Sequence, residues 1–586
     1  MYKPESKRQR YEILRSQLEQ ERSTFIPLWR ELSDYILPSR SRFLITDANK
    51  GHRRNQKIVD SRGCIAARTL RSGMMAGITS PARPWFRLTT PDPDLAEFSS
   101  AKEWLHLVSR RMNGVFLKSN LYNTLDPFYG DLGVFGTAPI SVEESFSTVI
   151  HCNSFPIGSY ALAKGQDGRV NVFFREFRMT VRNLISFFGR RLPSGQPDWS
   201  NFSIHVRMLY EQGQMEAWVD VCHVIEPNPE FDERKLQSKH KKFSSCYYER
   251  GSSSASTSGY LQAATDQDKV LRESGYDIFP ILGGRWETTG EDVYATDCPG
   301  ITALGDIKAL QLMQRRKAQA VEKMVNPPMT GPTSLRTAKV SILPGDITYA
   351  DVREGMQGFR PAHEVNPRIQ ELLLDIQDHH QRIDQAFFAD LFLMLHNSDR
   401  RDITAREIDE RHEEKLLALG PVLENMNQDI LDPLIDLTFD IMSRQGLIPP
   451  PPEELQGMDL KVEYVSMMAQ AQKLIGVSSI ERFAGFVGQL ASVTGDPSVF
   501  DKVDRDQMID DYGDAVGVSP KIVRSDDKVE EIRAGRAREA AQAAQVEQVS
   551  QAAVAAKNLS QTDMGSDSAL SRLIDQSQAG QLVEGA

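Results

Sequence analysis

His379 and His380 are adjacent, Asp384 follows four residues after His380, and Asp409, Glu410 and His412 come further along. Imidazoles and carboxylates at helical spacing on neighbouring helices are the donor set of a metal site inside a bundle. They make a helix-rich, metal-dependent enzyme using His379, His380 and His412 one reading of the chain. The competing reading is structural. His380 falls on the apolar seam of its own helix, where a hydrogen-bonded interface histidine is the commoner occupant, and Asp409 to Glu414 reads as a solvated, salt-bridged face. No Gly-x-x-x-x-Gly-Lys-Ser/Thr loop is present, nor a Gly-x-Ser-x-Gly elbow or a His-Glu-x-x-His helix. The favoured reading therefore has no catalytic residue, no cofactor and no metal.

Charge offers a second kind of chemistry. Arg315, Arg316, Lys317 and Lys323 cluster on one helix, and Asn397, Ser398, Asp399, Arg400, Arg401 and Asp402 form a polar run between two helices. In a single chain these are a solvated basic face and an ordinary loop. If the helix lines a hole in a ring, each basic residue becomes a ring of positive charge. Arg40, Arg42, Lys50, Arg53, Arg54 and Lys57 make a basic linker, read as a solvated loop with a phosphate or partner contact as the lesser reading.

The elements that must position these residues occupy 301–446. Leu304, Ile307, Leu310, Met313, Ala320, Val321 and Met324 recur at three-and-four spacing, which predicts an amphipathic helix over 302–325 stopped by Asn326-Pro327-Pro328. Short β-branched runs punctuated by glycine and proline follow over 327–366, a small β-containing lobe. A second helix runs from Pro367 to Leu395, with Ile369, Leu373, Ile376, His380, Ile383, Phe387, Leu391 and Met394 on one continuous seam. At about 1.5 Å per residue it spans about 40 Å. Thr404-Ala405-Arg406-Glu407 is a capping box that opens a third helix running to Arg444, with bends or breaks at Pro421 and Pro433 and a stop at Gly446. Pro449 to Pro452 is a rigid spacer.

Length and composition set bounds. At 586 residues two to four lobes are expected, and a net charge of −11 is the wrong sign for a protein that grips DNA over its whole surface. Cys64, Cys152, Cys222, Cys246 and Cys298 are scattered and never spaced as a metal pair, so they read as structural or surface thiols. No signal peptide or membrane span is expected.

Elsewhere, residues 7–37 predict a helix bent near Pro27, 61–76 a helix rich in small residues, and 102–136 two further helices. From there to about 300 strands dominate, with Gly165 to Gly168 as a hairpin turn and Gly251 to Gly259 as a flexible loop. Leu460 to Val465 reads as one returning strand. Residues 467–492, 500–516 and 526–559 read as helical. The last is Ala-rich and buries little alone.

Several stretches together resemble the head-to-tail connector, or portal, family of short-tailed bacteriophages: SGMMAGITSPARPWFRL (72–88), DLGVFGTAPISVEE (131–144), TALGDIKALQ (302–311), FFADLFLML (387–395), ITAREIDERHEEKLLALGPVLE (403–424) and LDPLID (431–436). Order and spacing agree over about 7–555. One departure is Ile403-Thr404-Ala405-Arg406-Glu407, where the family pattern has Met-Thr-Ala-Thr-Glu. The cap survives, and the charge of Arg406 is this chain's own.

The resemblance implies an α+β, portal-like fold assembled as a ring, usually of twelve copies. Carried onto this sequence, 1–300 with 455–466 returning to it is a mixed α/β wing, 301–326 and 367–396 are stem helices, and 327–366 is a small β-containing clip. It makes 397–402 the tunnel loop, 403–446 a long kinked helix, 447–466 the Pro-rich spacer and returning strand, 467–559 a helical crown and 560–586 a disordered tail. The implied function is a virion channel at one capsid vertex, through which double-stranded DNA is packaged and ejected. The implied partners are identical copies, the major capsid and scaffolding proteins, the terminase large subunit and tail adaptor proteins. Arg400 and Arg401 are expected near the lumen, and Arg315, Arg316, Lys317 and Lys323 are channel-facing candidates. Two points are independent of the resemblance. Long seamed helices with no partner layer in the chain need neighbours, which cyclic repetition provides, and an acidic wall with few basic rings lets DNA slide rather than hold it.

Overall fold

Prolines, glycines and small residues decide where this chain turns and how closely its helices approach. In the computed structural model the described residues are 7–46, 54–92, 98–250 (without 191, 194, 195 and 236), 269–330, 336, 360–361, 368–397, 419–465 (without 456, 458 and 459), 483–490, 493, 503–504, 506–509, 512 and 526–560. They fall into two units, Met1–Ser479 and Ile480–Ala586.

The first unit opens with α1 (Lys7–Ser23) and α2 (Ile26–Tyr35), separated by Thr24 and Phe25. The expected bend at Pro27 is thus a break just before it. Proline lacks an N–H, so it sits in the first turn of α2, where that donor has no intrahelical partner. Helix α3 (Arg62–Gly77) follows, then β1 (Phe86–Thr89), α4 (Ser99–Lys118) and α5 (Leu121–Phe135). Gly136, at φ +76°, ends α5 in a left-handed turn.

Strands β2 (Thr137–Ser145) and β3 (Val149–Ser154) form an antiparallel hairpin. A second, five-stranded antiparallel sheet runs in the order β4 (Tyr160–Lys164), β5 (Val170–Thr180), β6 (Trp218–Pro227), β7 (Phe243–Glu249) and β8 (Arg272–Tyr276). Helix α1 packs on it: Tyr11 stacks on Tyr248, and Arg22 donates to the carbonyls of Gly158 and Tyr160 at 2.9 and 3.0 Å. Between β5 and β6 lie α6 (Val181–Phe188) and α7 (Ile204–Glu211), two short helices in a stretch read from sequence as mostly strands. Their side-chain caps, Thr180 accepting from the Asn183 amide and Ser203 from the Val206 amide, are the local signal for them. Strand β9 (Ile281–Arg285) returns to β2 and completes the order β3-β2-β9.

Helix α8 (Pro299–Val325) begins three residues earlier than its apolar pattern indicates, because Pro299 supplies a first turn. Strands β10 (Met329–Thr330) and β11 (Arg360–Pro361) pair at the base of the intervening excursion, most of which, including the β-branched runs, lies outside the described residues. The return is two helices rather than the single one expected: α9 (Ile369–Ala386) and α10 (Ala389–Asn397). Phe388, at φ +53°, turns the chain between them. A left-handed aromatic residue costs about 1–3 kcal/mol. The turn lets Phe387 stay in the core while Phe392 reaches Gly73 on α3, where a Cβ would fall 2.1 Å from the ring.

Residues 398–418, with the capping box at 404–407, lie outside the described residues. Helix α11 (Gly420–Met426) takes Pro421 in its first turn, a π turn spans Asn427–Leu431, and α12 (Asp432–Arg444) ends at Gly446, φ +70°. Pro433 has no N–H for the carbonyl of Asp429, and the helix widens there instead of running straight. Strand β12 (Lys461–Tyr464) pairs antiparallel with β1, Phe86 opposite Tyr464. One core joins Trp29, Phe128, Ile307, Ile383, Phe387, Leu391 and Ile430, so the upper halves of α8 and α9 are anchored in the body of this unit. All five cysteines are free, and burial pushes the Cys152, Cys246 and Cys298 thiols up to about 12, as inert structural thiols require.

In the second unit, residues 483–490 are helical and α13 spans Asp526–Ser560. Val529 and Ile532 are half-buried and the other described side chains of α13 are exposed. Arg533 pairs with Asp506 at 2.6 and 2.7 Å. Among the described residues of the chain, no helix is long and apolar enough to cross a membrane.

Candidate functional site

Helices α8 and α9 run antiparallel as a hairpin, and a strap formed by residues 57–62 crosses it. The strap is held by polar side chains placed on the otherwise apolar packing face. Gln311, buried on α8 one turn beyond Ile307, accepts from the amides of Val59 and Asp60 at 2.6 and 2.8 Å and donates to the Asp60 carbonyl at 2.9 Å. Gln314 donates to the Asp60 carboxylate at 2.8 Å. His380 of α9 meets the same carboxylate oxygen at 3.0 Å, while the Arg62 amide donates to the other oxygen at 2.8 Å. Burial alone would raise the Asp60 carboxyl, but the Arg62 amide, His380 and Gln314 outweigh it and hold it below its ordinary value. Arg62 makes a forked pair with Asp384, which raises the guanidinium above its usual value.

The two helices are also joined directly. Nδ1 of His379 lies 2.8 Å from Asp306 Oδ1 on α8, with Arg382 of α9 at 3.9 Å from the same carboxylate. His379 and His380 thus answer two different carboxylates and do not converge on a common point. Asp409, Glu410 and His412 lie outside the described residues. Among the described residues no group of three or more His, Cys, Asp or Glu side chains could hold a metal ion. The strap itself was not visible as such in the sequence. Its one local signal is Gln311, a polar residue at a position where the helical period calls for an apolar one.

Of the basic linker, Arg40, Arg54 and Lys57 are engaged by the fold, Arg42 is exposed, and Lys50 and Arg53 lie outside the described residues. Arg40 makes a forked pair with Asp131, Lys57 meets Asp34 at 2.6 Å, and Arg54 donates to the Ser41 carbonyl at 3.1 Å. Burial pushes Asp131 up to about 6 against the opposing pull of Arg40. The four basic residues of α8 do not share one face. Arg315 reaches back to the Lys57 carbonyl at 3.5 Å, Lys317 is half-buried, and Arg316 and Lys323, seven residues apart, stand on one exposed stripe with Leu312. Asn397 ends α10, and Ser398, Asp399, Arg400, Arg401 and Asp402 lie outside the described residues.

A further pair joins the body of the unit to the π turn. Arg285 of β9 makes a forked contact with Asp429 at 3.0 and 3.1 Å, both side chains about a tenth exposed.

This arrangement contains no assembled nucleophile, acid–base pair or anion cradle among the described residues of the hairpin. It is an anchored, strapped helical hairpin whose far end carries charge and exposed apolar side chains. Comparison with known proteins agrees in extent with the whole chain. Residues 8–523 match the family described as bacteriophage head to tail connecting protein. The chain is 48% identical over 566 residues to the portal protein of Salmonella phage epsilon15, covering 97% of this chain and 98% of that protein. It is 42% identical over 554 residues to the probable portal protein of Bordetella phage BPP-1, covering 94% and 95%. From near its first residue to beyond residue 520, this chain belongs to the bacteriophage head to tail connecting protein family.

Proposed function

We propose that the chain is a phage portal: identical copies close into a ring, about twelve by the resemblance, that forms the channel for double-stranded DNA at one capsid vertex. The observation that carries this is the match to head to tail connecting proteins over residues 8–523, together with 48% identity over 566 residues to a portal protein. In this reading the protein is a structural conduit and not an enzyme. It meets the terminase motor during packaging, the tail adaptor proteins afterwards, and the capsid and scaffolding proteins at its rim. The metal-enzyme reading loses its basis, because His379 and His380 are each engaged by a separate carboxylate.

The assignment of regions follows the resemblance. Residues 1–300 with 455–466 serve as wing, α8 with α9 and α10 as stem, 327–366 as clip, 397–402 as tunnel loop and 467–559 as crown. Arg315 and Lys317 are engaged or half-buried, so Arg316, Lys323 and the loop arginines Arg400 and Arg401 remain the candidates for rings of positive charge at or near the channel. A net charge of −11 per copy supports passage without tight binding, since few phosphate contacts would form.

Light scattering after size exclusion, with negative-stain images of the same fraction, tests the proposal. Closed rings of about twelve copies with a hole wide enough for a DNA duplex are expected. A chain that stays monomeric at all concentrations, also in the presence of its scaffolding protein, would overturn it.

A further inference from the structure

One face of the five-stranded sheet carries a polar row. The strand register sets Tyr160, Arg175, His223, Tyr247 and Arg272 directly opposite one another from β4 to β8. Directly opposite residues share a face, so the row crosses the whole sheet. Three of its members are satisfied within the fold. Tyr160 is buried and donates its hydroxyl to the Thr137 carbonyl at 3.0 Å. The rings of His223 and Tyr247 stack at 3.7 Å, and His223 Nε2 lies 3.0 Å from Ser245 Oγ. The two arginines have no such partner.

Arg175 is half-buried. Its guanidinium lies 4.8 Å from the ring centre of Phe155, in the main core, and 4.1 Å from that of Phe177, which packs on the smaller core under α6 and α7. The rings hold the guanidinium through its face and satisfy none of its N–H groups, which point outward in its plane. Among the described residues it has no hydrogen-bond or carboxylate partner, and none of its nitrogens is sealed from solvent. Arg272 stands exposed over the ring of Phe187 at 5.8 Å, likewise without a carboxylate partner among the described residues. Two other charges bear on Arg175: Arg42, exposed, and Glu143 of β2, which is within electrostatic reach and pairs with neither arginine. A cation partly withdrawn from water without a counterion is costly, and burial accordingly pulls Arg175 below its usual value.

The geometry points to a binding site for an acidic protein segment in extended conformation, with one carboxylate on Arg175 and a second on Arg272. The spacing fits this occupant. The two arginines are rooted three strand steps apart, about 14 Å, and residues i and i+4 of an extended segment lie on one side about 13 Å apart. The uncharged His223 and Tyr247 stack lies between, opposite the segment's middle residue. A guanidinium whose fork is held by ring contacts is prepared for a carboxylate, which it takes through two parallel bonds. Duplex DNA fits less well: it presents a continuous line of phosphates on a broad convex surface, whereas Arg175 is half-buried between two cores and has Glu143 beside it. One copy of the chain carries the whole site, so the inference goes beyond the ring reading and does not depend on it.

Saturation-transfer NMR on the full chain tests it, with the peptide acetyl-Glu-Thr-Val-Thr-Glu-amide as probe. Transfer to the peptide is expected, and should vanish when both Glu residues are replaced with Gln. R175Q and R272Q should each weaken binding about tenfold, and E143Q, which removes the flanking carboxylate, should strengthen it several-fold. Arg272 is exposed on an edge strand, so R272Q carries the test should R175Q fail to fold. No transfer to the Glu peptide at millimolar concentration, equal binding of the Gln peptide, or binding unchanged in the arginine variants would overturn the site. Displacement of the peptide by a short DNA duplex or by inorganic phosphate, with the same dependence on the two arginines, would overturn the acidic-segment assignment in favour of phosphate. Ring formation is read separately by light scattering, so failure here leaves the ring reading standing.

Discussion

The ring of Phe392 occupies the space that a Cβ on residue 73 would fill, so α10 lies directly on the backbone of α3. The contact depends on two local features, a glycine on α3 and the left-handed Phe388 that turns α10 toward it. Gly73→Ala should destabilise the first unit by about 1–3 kcal/mol despite the better helix propensity of alanine, because the ring has to move out of a packed site. Urea denaturation measures this. Adding Phe392→Leu to Gly73→Ala should recover part of the loss, as coupled neighbours do.

Gln311 satisfies two strap amides and one strap carbonyl from a buried position. Gln311→Ala should leave those groups unpaired at a cost of about 1–3 kcal/mol, felt mainly as local opening. Hydrogen exchange at Val59 and Asp60 should accelerate by roughly tenfold or more, with exchange in the five-stranded sheet unchanged.

Acid should act on the strap through Asp60. Its carboxyl is held below the ordinary value in the folded chain, so the folded state binds the proton less readily than the unfolded one. The resulting stabilisation is present above the unfolded carboxylate value, about 4, and is lost as pH falls through the lower folded value. Asp60→Asn should therefore be less stable than the unmodified chain at pH 7, and the difference should shrink steadily below pH 4, read by denaturant titrations across that range.

Arg285 and Asp429 should behave differently from the exposed pair Arg444–Asp440. Arg285→Ala leaves a nearly buried carboxylate alone and should cost about 3–5 kcal/mol. Arg444→Ala removes one end of an exposed pair and should cost less than about 1 kcal/mol. Replacing both Arg285 and Asp429 with apolar residues of similar volume should recover much of the larger loss. Thermal unfolding of the three variants distinguishes these outcomes.

Local chemistry was enough for much of the architecture. The three-and-four spacing of Leu304, Ile307 and Leu310 marked α8, Gly165 to Gly168 marked the β4–β5 turn, and Gly446 marked the end of α12, because helical period and left-handed turns leave their signature within a few residues. Pro433 announced a disturbance, though not that a π turn would absorb it. The short motifs spread along the chain carried the family. What depended on residues distant in sequence was decided only by the tertiary structure. The seam through Phe387 and Leu391 reads as one straight helix. Only the glycine at position 73, more than three hundred residues away, makes a turn at Phe388 worth its strain. For His379 and His380 the apolar seam favoured interface histidines over metal ligands, but no local rule names the partner of either. The partners came when folding brought Asp306 to one and Asp60 to the other, two carboxylates whose positions depend on how α3, the strap and α8 pack around the hairpin.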